Sequence, residues 1–179
     1  VYYRYFIPSD FEALYAIEEE CFQPPHRFPR EYMQLLLDSP DTSVWIAEDG
    51  AKMAGFGIVE WYMGDEKGEK IERGRREVKE ARKVAYVHTL EVLPSERGRG
   101  VGRELLIRLE EAAEEADAEA ILLHVSEENA GAIGLYTARG FRYQRREADY
   151  YSPGMAGVVY RKGLGVDAPM EGIHNEPPV

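Results

Sequence analysis

The chain has 179 residues, enough for one substantial core and awkwardly few for two independent domains. Hydrophobic residues make up 44% and charged residues 31%, the balance of a soluble globular protein, and no run approaches the ~18 apolar residues of a membrane span, so no membrane partner is expected. A net charge of −11 argues against nonspecific nucleic-acid binding, which needs clustered Lys and Arg; it suits a solvated acidic surface or a cationic partner.

Residues 2–7 read as a strand, and Ser9-Asp10-Phe11-Glu12 has the S-x-x-E spacing of a capping box opening a helix through about Cys21. The Pro- and aromatic-rich residues 22–29 interrupt it. A second helix over 30–37 ends near Ser39-Pro40, because the residue before proline is biased away from helix. Residues 43–48 and 53–61 flank Asp49-Gly50, a dipeptide suited to a tight turn, and predict an antiparallel hairpin. Residues 63–83 are dense in Gly, Glu, Lys and Arg and can bury little, so they are expected to form an exposed, partly mobile insertion.

A strand over 84–92 follows, then a helix from Gly100 to about 116 whose Val101, Leu105, Leu109 and Ala113 recur every four residues on one face. Residues 120–125 are nearly all apolar, as in a central strand covered on both sides. Residues 129–139 predict a helix stopped by Gly140. Residues 141–146 and 155–161 predict a closing hairpin, and the Gly- and Pro-rich 163–179 a loose tail. Hairpin, alternating strands and helices, then hairpin again imply one α/β domain over 1–162, a mixed sheet with helices on both faces.

Arg97-Gly98-Arg99-Gly100-Val101-Gly102 stands between a strand and an amphipathic helix. A helix N-terminus presents unpaired N–H groups and partial positive charge, and glycines admit a phosphate without a Cβ in the way. The spacing fits neither a Walker loop nor the dinucleotide G-x-G-x-x-G, so by itself it gives an anion site or a structural turn. Cys21 is the single cysteine, which removes an internal disulfide and any thiolate cluster and suits a cytoplasmic setting; no secretory signal is visible. His26, His88, His124 and His174 never pair at i, i+4 with an acidic residue between, so no metal is expected.

Arg97-x-x-Gly100-x-Gly102 after YVHTLEV resembles motif A of the GNAT superfamily of acetyltransferases, and Asn129, Ala132-Ile133, Leu135-Tyr136 and Gly140-Phe141 resemble its motif B. The likeness covers roughly residues 2–162. It implies a mostly antiparallel sheet of about six to seven strands and acetyl-CoA held by the turn, with Gly98, Gly100, Val101 and Gly102 offering backbone and Arg97 and Arg99 adding charge. Within the superfamily, LLHVSEENAGAIGLYTARGF, ADYY and Phe22-Pro24-Pro25 are similar to segments of Nα (protein N-terminal) acetyltransferases, including the ribosomal-protein enzymes of bacteria.

Site roles follow from that resemblance. Tyr86 and His124 match a paired base; the bacterial branch has Glu at the His124 position, a departure here. Tyr136 matches the general acid toward the CoA sulfur, and Asn129 a contact to the cofactor arm, with a simple N-cap as its other reading. Leu90 and Val92 would present backbone to the pantetheine; by strand alternation they share a face with Tyr86, as does His88, a lining residue or substitute base. Phe22, Pro24 and Pro25 would face Tyr150 and Tyr151 across a peptide groove. The acceptor is then a protein N-terminus joined by direct transfer, with a small amine (polyamine or aminoglycoside) or a non-catalytic CoA-binding role as alternatives. Oligomeric state is not encoded in these features.

Overall fold

The computed structural model describes residues 1–24, 26–65, 67–71 and 80–165. In chain order the elements are β1 (Tyr2–Tyr5), α1 (Phe11–Cys21), α2 (Arg30–Asp38), β2 (Thr42–Asp49), β3 (Lys52–Gly64), β4 (Arg82–Val92), α3 (Val101–Glu115), β5 (Ala120–Ser126), α4 (Ala130–Ala138), β6 (Arg142–Ser152) and β7 (Met155–Gly163). The strands form one sheet in the order β1-β2-β3-β4-β5-β7-β6. Every neighbouring pair is antiparallel except β4 with β5.

Alternation along the strands sends side chains to two separate cores. On one face Val44, Ile46, Phe56 and Ile58 pack with Leu14, Tyr15 and Ile17 of α1 and Met33 of α2. On the other, Val59, Ala85, Val87, Ile121 and Leu123 meet Leu106, Leu109 and Ala113 of α3 and Tyr136 of α4. Val101, Leu105, Leu109 and Ala113, the predicted face of α3, are all buried. Burying two leucines alone is worth about 3–6 kcal/mol, several times the propensity differences among ordinary helix residues, so packing rather than propensity fixes α3.

Several expectations change at the level of detail. The S-x-x-E box at Ser9 does not cap α1; Asp10 instead reaches back to accept the Ile7 N–H at 2.8 Å and binds Arg4 through both carboxylate oxygens. A helical turn over Pro8–Asp10 precedes α1, so Ser9 lies inside that turn and not at a cap position. Tyr150 and Tyr151 belong to β6 rather than to a hairpin loop. The insertion is shorter than its composition suggests, since β3 runs to Gly64 and β4 begins at Arg82. Its first part also packs: the Tyr62 hydroxyl donates to the Gly68 carbonyl at 3.1 Å, and a Cβ on Gly68 would press into Leu122 at 2.6 Å. The rest of the insertion, residues 66 and 72–79, and the tail from 166 onward lie outside the described residues.

Two irregularities in the sheet set up the site. β4 and β5 pair only from Val84↔Ala120 to Val87↔Leu123, so beyond His88 and His124 the two strands run on unpaired and leave a notch. In the β3–β4 ladder Ile58 faces Thr89 while Val59 faces Val87, which makes His88 an extra residue, a β-bulge.

Candidate active site

The bulge overturns the alternation expected along β4. Leu90 lies on the α3 face, where a Cβ on Gly57 would meet both Leu90 at 3.3 Å and Leu109 at 2.9 Å. Tyr86 lies on the opposite face, packed with Val84, Leu122 and Val159. Counting by twos put Tyr86, His88, Leu90 and Val92 together; one inserted residue separates the aromatic pair from the other two.

At the notch the Tyr86 hydroxyl sits 2.8 Å from His124 Nδ1. The other imidazole nitrogen, Nε2, is 3.1 Å from Glu147 on β6, and Glu147 in turn accepts from Arg145 Nε at 2.9 Å. Tyr150 lies flat on His124, ring centroids 4.0 Å apart at an interplanar angle of 4°, and stands edge-on to Tyr151. Gly157 makes that stack possible, because a Cβ there would meet the Tyr150 ring at 2.8 Å. Tyr150 is exposed over 42% of its surface, and the His124 side chain beneath it over 14%. The imidazole is thus the more sheltered of the two stacked rings.

Burial tunes these groups. It lowers the His124 pKa below the ordinary histidine value against the opposing pull of Glu147, so the imidazole is neutral at neutral pH. Burial, reinforced by Tyr150, pushes the Tyr86 phenol far above its usual range, keeping its proton available. For Glu147, burial would raise the carboxyl, but His124 and Arg145 together outweigh it and hold it below the usual carboxylate value.

A second histidine joins the same face. His88 Nε2 is 3.0 Å from Glu60 Oε2, and Lys70 from the insertion binds Glu60 Oε1 at 2.7 Å. Burial would raise the Glu60 carboxyl, yet Lys70 and His88 hold it low. His88 packs edge-on to Tyr86 and to Tyr32 of α2, while the Tyr86 hydroxyl bonds to His124. Sequence reading missed Tyr32, Glu60, Lys70, Arg145 and Glu147. It also missed His26, whose ring lies 6.2 Å from Tyr151 and joins the α1–α2 loop to the aromatic wall. Phe22 and Pro24 are exposed on that loop, and Pro25 lies outside the described residues.

The glycine turn lies at the start of α3, with Gly98 and Gly100 at φ 76 and 83, the left-handed region. Among the described residues no backbone carbonyl accepts from the N–H groups of residues 98–103; the first helical bond runs from Glu104 to Gly100. Six free donors at a helix start fit a pyrophosphate. The arginines are engaged within the chain: Arg97 Nε donates to the Val92 carbonyl at 3.0 Å, and Arg99 pairs with Asp49 and Glu96. Recognition at the turn thus falls to backbone. Asn129 Oδ1 caps α4 by accepting the Ala132 N–H at 3.1 Å, which is the helix-cap role. Tyr136 is buried on α4, and burial pushes its phenol up to about 12. Among the described residues no group of three or more His, Cys, Asp and Glu side chains could hold a metal ion, and no helix is long and apolar enough to cross a membrane.

Residues 11–141 match the model of the acetyltransferase (GNAT) family. Among curated relatives, an N-alpha-acetyltransferase MAK3 of Arabidopsis thaliana is 37% identical over 70 residues, 39% of this chain and 37% of that protein. An uncharacterized N-acetyltransferase of Methanocaldococcus jannaschii is 29% identical over 125 residues, 69% of this chain and 49% of that one; the matches span less than half the length of these relatives. Among solved structures, Arabidopsis thaliana NAA60 in complex with acetyl-CoA superposes with a TM-score of 0.75 at 24% identity, covering 91% of this chain and 98% of that one. With the free donors at the α3 start and the β4–β5 notch described, the family match establishes that the chain belongs to the acetyltransferase (GNAT) family.

Proposed function

We propose that this chain transfers the acetyl group of acetyl-CoA directly to the α-amine of a protein or peptide N-terminus. The observation that carries this is the Tyr86–His124 contact at 2.8 Å beneath Tyr150: a neutral, half-buried base beside an aromatic wall. The cosubstrate supplies the activated acetyl group. The turn at residues 98–103 binds its phosphates, Tyr86 and His124 take the amine proton, and Tyr136, held protonated, is the proton source for the departing thiolate.

An α-amine has a pKa near 8 and a lysine amine near 10.4, so an N-terminus gives up its proton to a mild base far more readily. Tyr32 and Tyr150, both partly exposed, offer rigid apolar area with hydroxyls for holding a peptide backbone. Similarity to an N-alpha-acetyltransferase supports the same acceptor.

The deciding experiment follows thiol release from acetyl-CoA with peptides that differ at their first two residues, beside polyamines and aminoglycosides. Turnover with peptides and not with the small amines is expected. Turnover with small amines alone, or CoA binding without any turnover, would overturn the proposal.

A further inference from the structure

We propose that Glu147 is a positioning residue that fixes which nitrogen of His124 carries the proton, and so gives the Tyr86–His124 pair its direction. This rests on the base role proposed above. A carboxylate can only accept, and Glu147 stays ionised because Arg145 and His124 hold it so. Its contact at 3.1 Å with Nε2 therefore requires that Nε2 carry a hydrogen and donate it. The lone pair is left on Nδ1, where the Tyr86 hydroxyl donates at 2.8 Å. The stacked Tyr150 ring restrains the imidazole plane in this orientation.

The sheet register brings these groups together. His124 on β5 and Arg145 on β6 both pair with Val159 of β7, and Glu147 pairs with Gly157 two residues along. The β6 ladder skips Gln144, and that irregularity turns Arg145 and Glu147 onto the His124 face. The groups facing the imidazole are then Tyr86 from β4 and Tyr150, Glu147 and, behind Glu147, Arg145 from β6.

In the transfer, an amine proton moves to the Tyr86 oxygen as the Tyr86 proton moves to Nδ1. The amine gains its lone pair, Tyr86 ends unchanged, and His124 becomes an imidazolium beside the Glu147 carboxylate. With the other tautomer, Nδ1 would carry hydrogen and could accept nothing.

Two measurements on the whole chain test this. In 15N-imidazole NMR of the wild type near pH 7.5, His124 should show a protonated Nε2 and a bare Nδ1, and Glu147→Ala should mix the two forms. In steady-state kinetics Glu147→Ala should lower kcat about tenfold or more with little change in peptide KM. Glu147→Gln, whose amide oxygen still accepts from Nε2, should keep most of the rate with the acidic limb moved to lower pH, since the imidazolium loses its carboxylate. A wild-type His124 protonated on Nδ1 overturns the assignment whatever the rates, as does wild-type kcat and pH profile in Glu147→Ala. Failure of the base role itself would be seen separately, as full activity in His124→Ala.

Discussion

At the residue scale the site is two half-buried groups held in opposite protonation states by the same physical cause. Burial disfavours charge, so it lowers the histidine and raises the phenol. Replacing either, as Tyr86→Phe or His124→Ala, should lower kcat/KM by roughly a hundredfold. The double variant should lose little more than the worse single one, because the pair acts as one relay. The sign of the His124 shift fixes the pH dependence. A depressed pKa leaves the base neutral through the physiological range, so its acidic limb lies below about 6.5 and the main limb follows the acceptor amine near pH 8. A profile of kcat/KM with peptides of different α-amine pKa checks this: the upper limb should move with the peptide and the lower one should not. That Tyr86 and His124 form a pair was legible from the strand pattern and family resemblance, but Glu147 and Glu60 were not. Each is one of 33 acidic residues in the sequence, and only strand register picks them out.

At the element scale, the proposed function divides the work between the turn before α3, for the cofactor, and the β6–β7 hairpin, for the acceptor. Gly98 and Gly100 are fixed as glycine by positive φ, whereas Gly102 has ordinary backbone and would place a Cβ 3.5 Å from Val92. Gly100→Ala should therefore cost about 1 kcal/mol or more in stability, seen as a lower Tm. Gly102→Ala, whose methyl would make ordinary contact with Val92 and Leu135, should leave Tm near wild type. On the hairpin, Gly157→Ala would drive a methyl into the Tyr150 ring. The expected result is a peptide KM raised severalfold with the acetyl-CoA KM unchanged, and equal effects on both would refute the assignment of Tyr150 to the acceptor side. The sequence showed the glycine turn in full because its neighbours are local. It gave no sign of the Gly157–Tyr150 contact, which arises only when the hairpin closes.

For the whole molecule, two helical layers clamp one sheet, and the α1 layer carries a buried acid pair. Glu18 accepts the Phe28 N–H at 2.7 Å, Glu91 accepts from Thr89 at 2.7 Å, and each has one carboxyl oxygen buried without a hydrogen-bond partner among the described residues. Burial, reinforced by the neighbouring Glu18, pushes Glu91 from 4.5 up to about 9. A folded value above the unfolded one means that the stabilising contribution is whole below about pH 4.5 and lost as pH rises toward 9. Glu91→Gln, neutral throughout, should therefore be more stable than wild type by a margin that grows from about pH 6 to pH 9. Thermal melts of both across that range measure it; a constant difference would mean that Glu91 is ionised in the fold.

What the sequence determined by itself was local: helices from four-residue apolar spacing, strands from alternation, the turn from its glycines, and the family from two ordered motifs. Tertiary structure decided what local spacing cannot carry. The bulge at His88 parted Tyr86 from Leu90 and Val92, the skip at Gln144 turned Glu147 toward His124, and the pairing of β4 with β5 stopped where the notch had to open. A bulge sets two residues of one strand against one of its partner and so alters which face the following residues take. That depends on the partner strand, and hence on contacts between residues far apart in the chain.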